Sequence, residues 1–422
     1  MTRELGKFRN QKPDLATLDR QLSELPSNVE FCKNCVVSNQ RPRTVFNDQG
    51  ICSACEWAWE KDHVIDWDDR LRQLNELCGR FRSTDGSYDV IVPGSGGKDS
   101  AFVAHQLKHR FGMTPLCVTW APFEWTNIGW RNLRNFVNSG FFTIVGQPDG
   151  VLHRKLSRLA FELKGDAWEP FAYGQKAWAY HIAQKFGVKL IFYGENGELE
   201  YGGSTKYKHM PKESSEDWEK QYYKGSGVDE LVKYGIDKGI LENTEVKRAD
   251  LRWYKAQDPE VIKGLGLEMH WFSYYQKWTP QENFYYAVKH TGMELNDEGR
   301  TESTYTKYAS LDDKMDGFHF YLAYMKFGLG RCSRDAQQDI RRNHITREEG
   351  VALVERYDHE FPIKHYKWML SYLGITEEFF WDVMDFYRQH SNVWKSSNGK
   401  WRLAHTVWGG ERDDQSNCIK RV

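Results

Sequence analysis

Two adjacent glycines between an apolar strand and an amphipathic helix constrain this chain more than any other feature. They stand in Ser95-Gly96-Gly97-Lys98-Asp99-Ser100, after a strand read at 88–92 and before a helix read at 98–110 with Phe102, Val103 and Leu107 on one side. Without a Cβ the backbone can turn sharply there and bring its N–H groups against a ligand. Ser95 and Ser100 add hydroxyl donors, Lys98 adds a positive charge, and the helix start contributes its dipole. Such a turn is a cradle for phosphate. It is not a Walker A loop, because the G-x-x-x-x-G-K-[ST] spacing is absent.

Strand and helix signals alternate around this loop. Strands are expected at 88–92, 116–120, 141–145 and 189–193, with helices at 98–110, 129–138, 152–163 and 175–186 between them. Alternation of this kind predicts an α/β fold: a doubly wound parallel sheet with helices on both faces. The run 271–275 (WFSYY) supplies a fifth strand. Ligands of such sheets sit beyond the carboxyl ends of the strands, where the loop, Thr119 and Tyr193-Gly194-Glu195-Asn196 all fall. Carboxylates beside phosphates, here Asp99 and Glu195, suit Mg²⁺. The plainer alternative for Glu195 is a cap on the following turn.

Cys32-x-x-Cys35 and Cys52-x-x-Cys55 are separated by sixteen residues. Two knuckles at this spacing predict a closed, structural Zn²⁺ site with four thiolate ligands in a zinc ribbon, its hairpin at 44–51. Cys78, Cys117, Cys332 and Cys418 stand alone and read as small apolar fillers. The expected organisation is therefore 1–62, an N-terminal segment with a helix at 15–25 and the ribbon; 63–300, the nucleotide domain entered through a linker helix at 67–81; and 301–422, a helical C-terminal domain. There Thr346-x-x-Glu349 forms a capping box, and Gly374 stops one helix before Thr376 starts another. The weakly patterned segment 203–245 reads either as a solvated insertion or as a mobile lid or partner surface.

Composition narrows the function classes. With 58 basic and 59 acidic residues the net charge is -1, so no global field draws nucleic acid or an anionic membrane. No apolar run is long enough to cross a bilayer and no secretory leader is evident, which predicts a cytoplasmic protein. Seventeen Trp and 22 Tyr suit a pocket that stacks sugar rings or bases as well as a core.

The S-G-G-x-D-S order resembles the PP-loop of the N-type ATP pyrophosphatases. Taken with the two knuckles, Pro93-Gly94, Val118-Thr119-Trp120-Ala121-Pro122, Gly129-Trp130-Arg131-Asn132, Gln281-Glu282-Asn283, the run Thr304-Tyr305-Thr306-Lys307-Tyr308-Ala309-Ser310-Leu311-Asp312-Asp313-Lys314 and Phe327-Gly328-Leu329-Gly330-Arg331, the chain resembles the N-acetyl sugar amidotransferases of bacterial surface-polysaccharide biosynthesis from about residue 30 to about 390. The resemblance implies an ATP- and Mg²⁺-dependent adenylation of a sugar N-acetyl group, followed by replacement with ammonia to give an acetamidino sugar, in lipopolysaccharide O-antigen or a related glycan. It implies that Pro93, Gly94, Ser95, Gly96, Gly97, Lys98, Asp99, Ser100, Thr119, Gly194 and Asn196 bind ATP, with Lys98, Asp99 and Glu195 catalytic. Lys277, Glu282, Lys307 and Arg331 become candidates for a sugar-nucleotide substrate, Arg331 or Arg341 holding an anionic handle. A nucleophilic cysteine on a glycine-rich elbow is missing, so a separate class I glutaminase subunit is the expected ammonia source. The rivals are a PP-loop tRNA-modifying enzyme, disfavoured by the near-zero net charge, and a non-catalytic zinc-ribbon nucleotide sensor, disfavoured by the complete loop.

Overall fold

The computed structural model of the chain describes residues 11–212, 215–218, 222–410 and 412–414, apart from residue 14. The expectation for Cys418 lies outside this set. What is described at the N-terminus is one 3-10 turn, Arg20–Glu24, in place of the expected α-helix. Asp19 caps that turn, and the buried Asp19 carboxylate also takes the Lys326 ammonium at 2.7 Å. Tertiary anchoring therefore fixes the segment rather than helix propensity.

Helix α1 (Ser53–His63) grows directly out of the second cysteine pair and leads to α2 (Trp67–Phe81), capped by Asp66. The α/β unit follows as β1 (Val90–Pro93), α3 (Lys98–His109), β2 (Pro115–Trp120), α4 (Asn127–Asn138) and β3 (Thr143–Gly146). It continues through α5 (Gly150–Lys164), α6 (Glu169–Phe186), β4 (Leu190–Tyr193), α7 (Gly197–Tyr201), α8 (Val228–Asp237) and β5 (Glu268–Trp271). The five strands run parallel in the order β3-β2-β1-β4-β5. Strand order reverses between β1 and β4, and that gap is where a ligand crevice forms in such a sheet.

Period-two alternation explains the two layers. Ile91, Leu116, Val118 and Ile191 point to one face and join a core with Leu156, Leu159, Tyr173 and Ala179 of α5 and α6. Val90, Val92, Cys117, Leu190 and Phe192 point to the other and meet Leu74, Leu77, Val103, Leu107 and Phe284. Both faces are buried, so the strands read as continuous apolar runs.

The fifth strand lies earlier than the sequence predicts. Strand β5 ends at Trp271, paired with Tyr193, and Phe272–Tyr275 forms a helical turn. A short aromatic run cannot be told from a helix by periodicity; the register with β4 decides it. The described part of the segment 203–245 is not wholly solvated. Trp218, Tyr223, Val228 and Leu231 are buried in the first core, where α8 packs on α5.

Beyond α9 (Pro280–Thr291) come α10 (Asp316–Phe327), α11 (Arg331–Arg341), α12 (Arg347–Tyr357), α13 (Tyr366–Leu373) and α14 (Glu377–Gln389). The capping box at Thr346 and Glu349 forms as expected, and Gly374 ends α13. Met315, Phe318, Tyr321, Phe380 and Tyr387 belong to the same core as the α5–α6 layer, so packing is continuous across residues 300–301. Three short antiparallel strands, β6 (Trp394–Ser397), β7 (Lys400–Leu403) and β8 (Arg412–Asp413), follow the helices. This small sheet departs from the all-helical expectation. Among the described residues no helix is long and apolar enough to cross a membrane.

Candidate functional site

A cleft of about 660 Å³ opens at the carboxyl edge of the sheet, between the ends of β1 and β4. Its floor is the loop from Pro93 to Ser100. Thr119 Oγ1 donates to the Gly94 carbonyl at 2.5 Å, tying the loop to β2. A Cβ on Gly94 would fall 2.0 Å from the Ser100 Cβ, so only glycine lets the chain fold back onto the start of α3. Gly96 has φ +82°, and a Cβ there would meet the Asn132 carbonyl of α4 at 2.9 Å. Gly97 caps α3 without a side chain, which leaves the first N–H groups of the helix free for a ligand.

The run 304–314 locks this loop from above. Ser95 Oγ donates to Asp312 Oδ2 at 2.6 Å, and burial raises the pKa of the Asp312 carboxyl. Lys98 pairs with Asp99, whose Oδ1 accepts from Asn283 Nδ2 at 3.3 Å. Across the gap stands Glu195. Burial, and then the Asp99 carboxylate, push its pKa up to about 7. A carboxyl that holds its proton more tightly when folded loses stability as pH rises from the unfolded value of about 4.3 towards the folded one. Glu195→Gln has no proton to lose. Its melting temperature relative to wild type is therefore expected to climb between pH 4 and pH 7 and to level off above, and a constant difference across that window excludes the raised pKa.

The structure brings Pro93, Gly94, Ser95, Gly97, Lys98, Asp99, Ser100, Thr119, Gly194, Glu195 and Arg331 to the walls of one cleft. Gly96 faces α4 instead. Asn196 accepts from the Glu198 N–H at 3.1 Å to cap α7, while its own N–H donates to Ser273 Oγ, so it shapes the β4 turn from behind. Three substrate candidates lie elsewhere. Lys277 pairs with Asp62 at the surface, Glu282 is exposed on the first turn of α9, and Lys307 bonds the Tyr285 hydroxyl at 2.9 Å. Their residue types fit a sugar, but none of the three side chains lines the cleft, although α9 and the run 304–314 both reach the loop. Arg341 is also displaced. Its Nη1 lies 3.9 Å from Cys35 Sγ and its Nη2 donates to the Glu200 carbonyl, so it supports the cysteine cluster rather than a ligand.

Several cleft residues carried no motif. Arg41, from the loop between the cysteine pairs, and Arg334 line it, as does His319, whose Nδ1 lies 2.8 Å from Asp166 Oδ2. Against the effect of burial, His319 and Lys224 hold Asp166 well below the usual carboxylate range. Only Arg334 had a sequence signal, since it sits three residues from Arg331 on one helix face.

The four cysteines form a second centre. Their Sγ atoms all lie within 4.8 Å of one another, with Cys32 and Cys55 at 3.8 Å and Cys35 and Cys52 at 3.7 Å. A tetrahedron with Zn–S bonds of about 2.3 Å has edges of about 3.8 Å, so this donor set is compatible with zinc. Backbone N–H groups of Asn34, Cys35 and Cys52 point at Cys32 Sγ at 3.3–3.4 Å, the polar support a buried thiolate needs. The expected hairpin is reduced to a single bridge, Phe46 to Cys52, with Asn47 Oδ1 accepting from the Gln49 and Ile51 N–H groups.

Residues 302–407 match the family model described as LPS biosynthesis protein WbpG-like, C-terminal domain. This quarter of the chain is thus similar to a domain of lipopolysaccharide biosynthesis proteins, and the similarity supports a role in that process. It includes the run that locks the phosphate-type loop and the helix that carries Arg331 and Arg334. No curated protein matches the chain.

Proposed function

We propose that this chain is an ATP-dependent, AMP-forming amidotransferase of the PP-loop pyrophosphatase type, converting the N-acetyl group of a sugar into an acetamidino group in the cytoplasmic stage of lipopolysaccharide biosynthesis. The observation that carries this reading is the pairing of the glycine loop after β1 with Glu195 after β4, on either side of the point where strand order reverses. The similarity of residues 302–407 to a lipopolysaccharide biosynthesis domain supplies the biosynthetic setting.

In this reading the open N–H groups at Gly97 and the first turn of α3, with Lys98, hold the phosphates of ATP and take up charge as pyrophosphate leaves. Asp99 and Glu195 are the carboxylates that would hold Mg²⁺, which neutralises part of that charge. The acceptor's amide oxygen forms a bond to the α-phosphorus as the bond to pyrophosphate breaks. Ammonia then bonds to the amide carbon, the C–O bond breaks, AMP departs with the oxygen, and the nitrogen sheds a proton. No protein nucleophile is required; the cleft orients two substrates and excludes water.

Ammonia comes from elsewhere in this scheme. Cys78, Cys117 and Cys332 are buried, and burial raises each thiol, Cys78 to about 12, which makes them poor nucleophiles for glutamine. A separate glutaminase subunit fits that chemistry. The test is AMP and pyrophosphate release from purified chain with an N-acetylated sugar nucleotide. Ammonium, or an added glutaminase with glutamine, is expected to support amidine formation, and glutamine alone is not. Release of glutamate by the chain itself would remove the two-subunit scheme; no sugar-dependent AMP would remove the reaction.

A further inference from the structure

The cleft holds more positive charge than its neighbours neutralise. Arg41, Arg331 and Arg334 all line it. Arg331 pairs with Asp335 at 3.2 Å and its guanidinium lies 4.4 Å from the Phe320 ring centre. The Arg334 guanidinium lies 4.4 Å from the Tyr201 ring centre and 5.3 Å from that of Phe320, and Arg41 is 6.0 Å from Tyr201. Two aromatic rings thus gather three guanidinium groups. Among the described residues neither Arg41 nor Arg334 has a carboxylate partner or a side-chain hydrogen bond, and Arg41 Nε is buried without any acceptor. Arg43, two residues from Arg41, shows the contrast: Glu198 holds it through two bonds at 2.7 and 2.9 Å.

Arg41 and Arg334 are half-buried, so leaving them unpaired carries a desolvation cost, and two guanidinium groups gathered at one ring repel each other. Burial, and then the charge of Arg334, push the Arg41 pKa down to about 9. An anion between them relieves both effects, and a planar guanidinium fork matches a carboxylate or a phosphate. The position is informative as well. The arginines line the same cleft as Asp99 and Glu195, and after burial Glu195 raises the pKa of the Tyr201 phenol while Arg334 and Arg331 oppose it.

We propose that Arg41, Arg334 and Arg331 form an anion subsite that holds a carboxylate or phosphate group of the second substrate, the one carrying the amide. Identifying that ligand as the acceptor rests on the function proposed above; the subsite itself rests on the unpaired guanidinium groups. Arg41 makes the cysteine ribbon part of this site. The loop between the two knuckles delivers it, so the metal-type fold of the ribbon sets where one wall of the acceptor pocket stands.

Calorimetric titration of the full chain decides the matter with four probes: uridine diphosphate, N-acetylglucosaminuronic acid, inorganic pyrophosphate and a non-hydrolysable ATP analogue. Arg41→Gln and Arg334→Gln are each expected to weaken binding of uridine diphosphate or of the uronic acid by about tenfold or more, with Arg41→Lys and Arg334→Lys recovering part of it. Affinity for the ATP analogue is expected to stay within about twofold, since Lys98 and the loop provide that contact. Loss on uridine diphosphate assigns the subsite to a phosphate, and loss on the uronic acid assigns it to a carboxylate. Unchanged affinity for both, or a loss confined to pyrophosphate, overturns the proposal. If Arg41→Gln fails to fold, Arg334→Gln, half-buried on the first turn of α11, gives the same reading. Arginine-dependent binding of the acceptor probes by a chain that ignores the ATP analogue would sink the amidotransferase reading and leave the subsite standing.

Discussion

Lys98→Ala and Asp99→Ala are expected to cut AMP formation by about 10²–10³, the usual loss when one charge-stabilising contact to a developing anion is removed. Neither side chain packs in the core. Their relative exposures are 16% and 30%, and their strongest contact is with each other at the start of α3. Melting temperature should therefore shift by no more than a few degrees, about what a surface change produces in a chain of this size. Asp99→Asn separates two roles, because it keeps an acceptor for Asn283 Nδ2 while removing the charge. A steady-state assay of AMP release, run with a melting curve on each variant, checks both halves of the expectation. Wild-type turnover in a folded Lys98→Ala chain would take the loop out of the mechanism.

The second large effect concerns the cysteines. One zinc ion per chain is expected, and Cys52→Ser or strong chelation should lower the melting temperature far more than the intrinsic activity of molecules that stay folded. The ribbon's own strand pairing is slight, two isolated bridges, Phe31 to Ser38 and Phe46 to Cys52. In isolated zinc peptides such a site is worth about 10–16 kcal/mol, an upper bound for a ribbon that also packs on a larger body. That packing is specific: Val36, Val37 and Ala54 meet Ala336 and Ile340 of α11 and Val354 of α12, and Arg347 donates to the Cys32 and Cys35 carbonyls at 3.3 and 3.2 Å. Loss of the metal should thus loosen α11 and weaken acceptor binding through Arg41 and Arg334 before it touches the loop. Metal analysis and melting with and without chelator provide the check. A metal-free chain of full stability, or the absorption spectrum of an iron–sulfur cluster, would overturn the zinc assignment.

Much of the α/β unit was legible because its signals are local. Helix α2 occupies the expected residues 67–81, and the capping box at Thr346 and Glu349 starts α12 where the sequence places it. Four of the strands fall within about two residues of their expected bounds because each is a short apolar run closed by turn residues. The fifth was misplaced for a physical reason. Met269 and Trp271 enter the sheet because β4 offers them a register, whereas Phe272 and Tyr275 pack under it beside Phe192 as a helical turn. The same limit applies to Lys277, Glu282 and Lys307. The resemblance made them candidate ligands, but which side chains reach a cleft is a property of the packed whole.

What the sequence alone determined is the chemistry available at each turn. Gly94 and Gly96 specify a tight turn that a Cβ would block, Lys98 and Asp99 place charge at a helix start, and the two knuckles set four thiols at ligand spacing. Tertiary structure alone decided what those pieces face. It carried Asp312 across 217 residues to lock Ser95, set Glu195 where burial and Asp99 raise its pKa, and brought Arg41 from the ribbon to the cleft that Arg334 of α11 also lines. Each of these depends on the sum of many weak long-range packing terms rather than on any local preference, and that sum is not written in a stretch of sequence.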